Sequence, residues 1–296
     1  MAPQQGPAGP RRRLGAELRR LRLKADMTLD EVAELMTCST SKISRLETGK
    51  GIPKMPDVNE LIRIYGVSAD AERDMLHRLV REGRTHGWWE PFVEGVQPEK
   101  FVMDAPARYP SLEAEATSVS SFDLAFLHGL LQTRDYARAV LAALLPHHGR
   151  RAIEKLVELR MERQRALDRP DPMHLQVVLD EGILVREAGG RAVMRRQLEV
   201  LAEQAARPNV DLRVLPFSAG LDRAHLGEFV LLGFADPSVS DVVYVEGPSG
   251  ESYLDAPADV ELYEHVFGEV AERALDPAAS LDRIEQHLSS PERTRS

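Results

Sequence analysis

Thr40, Ser41, Lys42, Ser44 and Arg45 place short hydroxyls and two cations at the start of one predicted helix. Hydroxyls this short let a helix N-terminus come close to base edges in the DNA major groove, and an arginine can hold guanine through a bidentate pair worth about 1–3 kcal/mol of discrimination. Backbone N–H groups at the same helix end attract phosphate. Lys42 and Lys50 add charge that can neutralise it, and Thr28 and Arg13 complete the expected surface. The chemistry offered is recognition of double-stranded DNA.

The elements that must position these groups are legible over 28–50, TLDEVAELMTCSTSKISRLETGK. Thr28 and Glu31 have the spacing of a capping box. Val32, Leu35 and Met36 follow at helical spacing, with Ala33 small enough for a second helix to cross nearby. Thr37 and Cys38 fall in a turn, Ser39 is a good N-cap for the next helix, and Ile43 and Leu46 face inward. Gly49 is placed to stop that helix in the left-handed conformation. A plain amphipathic helix pair with a solvated polar face would satisfy the apolar spacing equally. The complete T-x-x-E…S-x-S-K-I-S-R-L-E-x-G pattern and the basic helix before it favour DNA. That helix, 11–26, carries the stripe Leu14, Leu18 and Leu21, with Arg11, Arg12, Arg13, Arg19, Arg20, Arg22 and Lys24 expected on its outer faces. Residues 11–54 hold eleven Lys/Arg against six Asp/Glu, a net of +5, so the rest of a chain of net charge -9 carries −14. A basic segment on an acidic chain localises a nucleic-acid surface.

The 296 residues suffice for two domains. No run of eighteen apolar residues marks a membrane span. Residues 1–10 lack an apolar stretch and read as a disordered tail rather than a signal peptide, as do 291–296. The single cysteine, Cys38, excludes intramolecular disulfides and multi-cysteine zinc sites. A cytoplasmic protein is expected. Helical periodicity at 56–66 and 69–82 completes an all-α, five-helix helix-turn-helix domain over 11–82. Residues 83–110 read as a linker in which Trp88 and Trp89 should dock on a domain and fix the angle between the two.

A C-terminal domain is expected over 111–290, α+β with a small mixed sheet. A strand ends the segment 112–126, LEAEATSVSSFDLAF. Helices are expected at 129–145 and 147–170, and a strand at 174–179. An amphipathic helix at 191–207 then leads to a strand at 209–217, a crossover that implies a parallel pair. Residues 227–235 and 241–247 form a hairpin, and helices at 258–275 and 277–288 close the domain.

From about residue 13 to 275 the chain resembles the actinobacterial XRE-type (lambda-repressor-like) helix-turn-helix regulators that carry a C-terminal, antitoxin-like domain of unknown function. The likeness rests on LGAELRRLR (14–22), SKISRLETGK (41–50), IYGV (64–67), GWW (87–89), EAEATSV (113–119), GLLQTRDYARAVL (129–141), RMERQRAL (160–167), RPDP (169–172), VLDE (178–181), LPFSAG (215–220) and VVYVEG (242–247). It implies DNA recognition through Thr40, Ser41, Lys42, Ser44 and Arg45, and a small partner protein. Three positions depart from the family's pattern: Leu29 stands in place of Gln, Thr37 in place of the turn's Gly, and His128 in place of the Pro before GLLQT.

Catalytic motifs are scarce. No glycine-rich phosphate loop or H-E-x-x-H occurs, and GPSG at 247–250 lacks the last spacing of G-x-S-x-G. Adjacent His147 and His148 cannot share one helix face as metal ligands and belong in an inter-helix loop. Asp180 and Glu181 form the most catalytic-looking pair, at a strand end where open α/β sheets place active sites. Consecutive strand residues point opposite ways, which favours a cap or an ion pair. His225, near Asp222 and Arg223, sits in a loop that could border a pocket. The chain is therefore expected to be a DNA-binding transcription regulator and not an enzyme, with no cofactor and no metal. Its C-terminal domain is expected to form a homodimer and bind a small partner protein. The alternative is a small-molecule effector bound between the sheet and the 129–167 helices.

Overall fold

Leucines 14, 18 and 21 fall on one side of a helix, and the first unit closes on that stripe. The computed structural model describes residues 7–96, 108–237, 239–247 and 250–289. They divide into two compact units: the described residues of 1–91, 106–115 and 236–239, and those of 92–105, 116–235 and 240–296.

In the first unit, α1 (Ala8–Lys24), α2 (Leu29–Leu35), α3 (Thr40–Glu47), α4 (Met55–Ile64) and α5 (Asp70–Glu82) enclose a core of Leu14, Leu18, Leu21, Val32, Ala33, Ile43, Leu46, Val58, Leu61, Ile62, Leu76, Leu79 and Val80. Leu35, expected inward, is largely exposed at the C-terminal end of α2. Glycine is required at 15, because a Cβ there would stand 2.3 Å from the Glu47 carbonyl oxygen, so α1 and α3 touch backbone to backbone.

Two expectations at the edges of this unit are corrected. The tail expected over 1–10 does not hold for 8–10, for α1 begins at Ala8, and Ala8, Gly9 and Pro10 are buried. A proline in the first helical turn loses no hydrogen bond, so Pro10 does not exclude helix. The linker expected over 83–110 contains α6 (Glu90–Val93) and the start of α7 (Arg108–Glu115). Helix α7 packs on α1 and belongs to the first unit, not to a domain starting at 111. It also completes α1: Ala8 N–H donates to Ser111 Oγ (2.6 Å) and Gly9 N–H to Glu115 Oε1 (2.9 Å), which satisfies open N-terminal donors of the helix. Trp89 is buried in this unit, edge-on to the half-exposed Trp88. Residues 1–6, the remaining linker 97–107 and the expected tail 291–296 lie outside the described residues.

The second unit is built on a six-stranded mixed sheet of order β3-β2-β1-β4-β5-β6. Its strands are β1 (Ser118–Asp123), β2 (His174–Asp180), β3 (Val210–Leu215), β4 (Phe229–Gly233), β5 (Val242–Gly247) and β6 (Gly250–Leu254). The first three are mutually parallel, Val119 opposite Leu175 and Leu175 opposite Val210, and the last three antiparallel. The expected parallel pair and hairpin are both present. Strand β6 was not expected: Glu251 and Ser252 are exposed and give it no apolar pattern, and it is set by its ladder with β5, where Tyr253 faces Tyr244.

Around the sheet run α8 (Arg134–Leu144), α9 (Arg150–Arg163), α10 (Gly182–Val185), α11 (Arg191–Ala205), α12 (Pro257–Arg273) and α13 (Pro277–Ser289). One face of the sheet, Phe122, Val178, Phe229, Leu231 and Val243, buries Val260, Val266 and Val270 of α12. The helix expected over 129–145 is split: a 3-10 turn covers Gly129–Leu131, Gln132 is extended, and the Thr133 hydroxyl caps α8 by accepting from Tyr136 N–H. The interruption is held by a buried polar network. Gln132 Nε2 donates to Leu127 O (2.6 Å), Arg160 Nη1 to Gln132 Oε1 (2.8 Å), and Gln197 Nε2 to Leu131 O (2.8 Å). The strings GLLQT and RMERQRAL, far apart in sequence, thus meet in one hydrogen-bonded cluster.

Candidate nucleic-acid interface

The turn of the motif is built by local hydrogen bonds. Thr28 Oγ1 accepts from Glu31 N–H (3.2 Å) while Glu31 Oε2 accepts from Thr28 N–H (2.7 Å), completing the capping box. The Thr28 N–H first, and then the Thr28 hydroxyl, which also donates to Glu31 Oε2 (2.8 Å), hold the Glu31 carboxyl below its ordinary pKa. Ser39 caps α3 through Lys42 N–H (3.3 Å). Gly49 has φ +66, and a Cβ there would also strike Arg12. Thr37, in the turn between α2 and α3, takes φ +50, a left-handed conformation that costs a β-branched residue about 1–3 kcal/mol. Thr37→Gly is expected to raise stability by about 1 kcal/mol once the extra chain entropy of glycine is subtracted. Urea denaturation measures this, and an unchanged or lower midpoint would show that the turn is unstrained.

Helix α3 turns Ile43 and Leu46 inward and leaves Ser41 and Arg45 exposed, with Ser44 half-buried beside them. Their spacing of three and four places all three on one face. Lys50 is exposed just beyond the helix, and Arg13 is exposed on α1. The other candidates are engaged within the protein. Thr28 is held by its cap, Thr40 Oγ1 donates to Asp30 Oδ1 (2.6 Å), and Lys42 Nζ pairs with Asp57 Oδ1 (2.9 Å). Lys42 must exchange Asp57 for a phosphate to serve DNA. Asp57→Asn is therefore expected to strengthen DNA binding severalfold and to steepen its salt dependence by up to about 0.9 in the log–log slope. Titration over a range of salt concentrations checks both, and an affinity no higher than wild type would keep Lys42 out of the interface.

Three arginines expected to be outward are not. Arg11, Arg12 and Arg22 are buried. Burial, then the neighbouring Arg108, lowers Arg11 to a pKa of about 10. Arg22 grips Glu47 of α3 in a bidentate pair (2.7 and 3.0 Å) and donates from Nη1 to Met27 O (2.8 Å). This pair ties α3, and with it the exposed face, to α1. The signal was present in the helical period: positions 11, 14, 18, 21 and 22 share a face, so two of the arginines lie on the apolar stripe. Glu47, Asp30 and Asp57 carried no comparable mark.

Residues 13–76 match the model of a helix-turn-helix domain. Residues 106–286 match that of a domain of unknown function, DUF5753, which covers more than half of the chain. The chain belongs to the DUF5753 family. No curated protein and no solved structure matches it. The first unit of this DUF5753 protein carries the DNA-binding helix-turn-helix, and the family match begins at α7, inside that unit.

In the second unit Asp180 and Glu181 hold structure. Asp180 Oδ1 accepts from Gly182 N–H (2.8 Å), with His225 Nε2 3.6 Å from its other oxygen. Glu181 accepts from Phe217 N–H (2.9 Å) and pairs with Arg283 of α13 (2.5 Å). Burial alone would raise its pKa, but these partners hold it below the ordinary value. Sequence reasoning missed Asp123 and Glu228, which line one small cavity. Burial, then the neighbouring Glu228, raises Asp123, whose Oδ2 accepts from His128 N–H (2.6 Å), and burial raises Glu228. His147 and His148 lie in the α8–α9 connection. Among the described residues no His/Cys/Asp/Glu group could hold a metal ion, and no helix is long and apolar enough to cross a membrane.

Proposed function

We propose that this DUF5753 protein is a cytoplasmic, sequence-specific transcription regulator of the XRE (lambda-repressor-like) type and not an enzyme. It binds double-stranded DNA as a homodimer, and its C-terminal domain takes a small partner protein in an antitoxin-like pairing. The observation that carries the DNA-binding core of this reading is α3: Ser41, Ser44 and Arg45 lie together on its outer face, while the buried Arg22–Glu47 pair fixes the helix from behind. The homodimer follows from the shortness of that helix, since one recognition helix reads few base pairs and a two-fold dimer reads two half-sites one helical turn apart. The partner protein and the XRE assignment rest on the resemblance over 13–275.

Genome-wide capture of DNA fragments by the purified full chain tests the reading. Enrichment of one motif with two symmetric half-sites is the expected result. A folded protein that enriches no motif, or retains all fragments equally, would defeat it.

A further inference from the structure

The connection between β3 and β4 leaves two leucines almost wholly in water, Leu221 at 87% and Leu226 at 89% exposure, and Phe217 earlier in the same connection is 63% exposed. Apolar exposure concentrated on one surface marks an interaction site. The leucines are displayed by a braced turn. Arg273 of α12 binds the Asp222 carboxylate and the carbonyl oxygens of Ala219 and Leu221, Asp222 Oδ1 accepts from Ala224 N–H (3.0 Å), and Ala224 is buried beneath. Two cavities that share Arg223 open between this turn and α12. One, of about 220 Å³, has apolar walls that include Leu226, Leu262 and Tyr263. The other, of about 660 Å³, is walled by Leu221 and by charges.

The charges indicate what covers this face. In the larger cavity Arg273 is neutralised by Asp222, and His265 stands 3.4 Å from Glu269. Arg223 and Glu272 line the same cavity with no ion-pair partner among the described residues. The chain outside 11–54 carries −14, so most faces of a second copy would repel the first. Here one unpaired cation and one unpaired anion flank exposed leucines. In a two-fold contact any pairing of Arg223 with Glu272 of the second copy is made twice, and the same arrangement offers the leucines of each copy the apolar cavity of the other. We propose that the 217–226 turn and α12 form the contact between two copies of this chain. This rests on the homodimeric reading given above and assigns it a surface.

Light scattering on the eluting full chain, followed through dilution, tests this directly. Wild type is expected at the mass of two chains. Leu221→Glu with Leu226→Glu is expected to elute as one chain with unchanged circular dichroism, its dimer dissociation constant raised at least about thirtyfold by charge placed in the contact. Arg223→Glu is expected to weaken the dimer as well, and Arg223→Glu with Glu272→Arg to restore it. A monomeric wild type would overturn both the homodimeric reading and this surface. A dimer that survives the double leucine substitution would leave the homodimer standing and overturn this surface, whose leucines would then serve another protein.

Discussion

Replacing Glu47 by alanine is expected to cost the first unit about 3–5 kcal/mol, because it leaves the Arg22 guanidinium buried without its counter-ion. The two side chains keep 9% and 6% of their surface, and both oxygens of Glu47 face Arg22, so water cannot replace what is removed. The neighbourhood offers little relief. Tyr65 is buried nearby, its hydroxyl without a hydrogen-bond partner and pushed up in pKa by burial first and the Glu47 carboxylate second. Small domains have about 5–15 kcal/mol in total, so the loss should leave this unit marginal. Urea unfolding of Glu47→Ala measures it, with Glu60→Ala as the control. Glu60 pairs with Arg63 in solvent, where such pairs contribute about 0–1 kcal/mol. Joint replacement of Arg22 by Met and Glu47 by Leu should recover most of the loss, since matched apolar groups often equal a buried pair. A cost near that of Glu60→Ala would mean that the Arg22–Glu47 pair is solvated and does not hold α3.

The parts of this molecule legible in the sequence are those fixed by neighbours in the chain. Thr28 with Glu31, Ser39 with Lys42 N–H, and Gly49 at the helix end all act within four residues, and the structure has each as its spacing required. The parallel β2–β3 pair was legible because a buried apolar run in β2 and an apolar-polar alternation in β3 flank an amphipathic helix. What was missed depends on distant partners. Asp57 reaches Lys42 across fifteen positions, and Arg22 finds Glu47 across twenty-five. A charge count treats every arginine of α1 as solvated, yet Arg22 lies on the leucine stripe and Arg11 begins it. Helix α7 has no expectation of its own in the sequence: its place in the chain divides it between the linker that ends at 110 and the domain that starts at 111. Its allegiance is decided by hydrogen bonds to α1, more than a hundred positions away. The Thr133 cap is a local sign that α8 starts after Gln132, which breaks the helix expected over 129–145. The buried bonds to Leu127 and Arg160 make that break.

Arg45→Ala is expected to change what the protein recognises more than how tightly it holds DNA in general. Arg45 is exposed on the outer face of α3 with no ion-pair partner among the described residues, so its guanidinium reaches the groove without breaking a bond inside the protein. If it holds a guanine in the bidentate mode, its loss removes about 1–3 kcal/mol, roughly 5- to 150-fold, at one base pair of each half-site. Binding to the preferred site should fall by that factor, and by more in a dimer that uses two half-sites. Binding to unrelated DNA should weaken little beyond the loss of one positive charge. Lys50→Ala supplies the contrast: a phosphate contact carries no sequence information, so every sequence should weaken alike and the salt slope should fall by about 1. Titrating both variants against the captured motif and a scrambled duplex at several salt concentrations separates the two behaviours. Equal losses on both duplexes for Arg45→Ala would make Arg45 a backbone contact, and base reading would then fall to Ser41 and Ser44 on the same face.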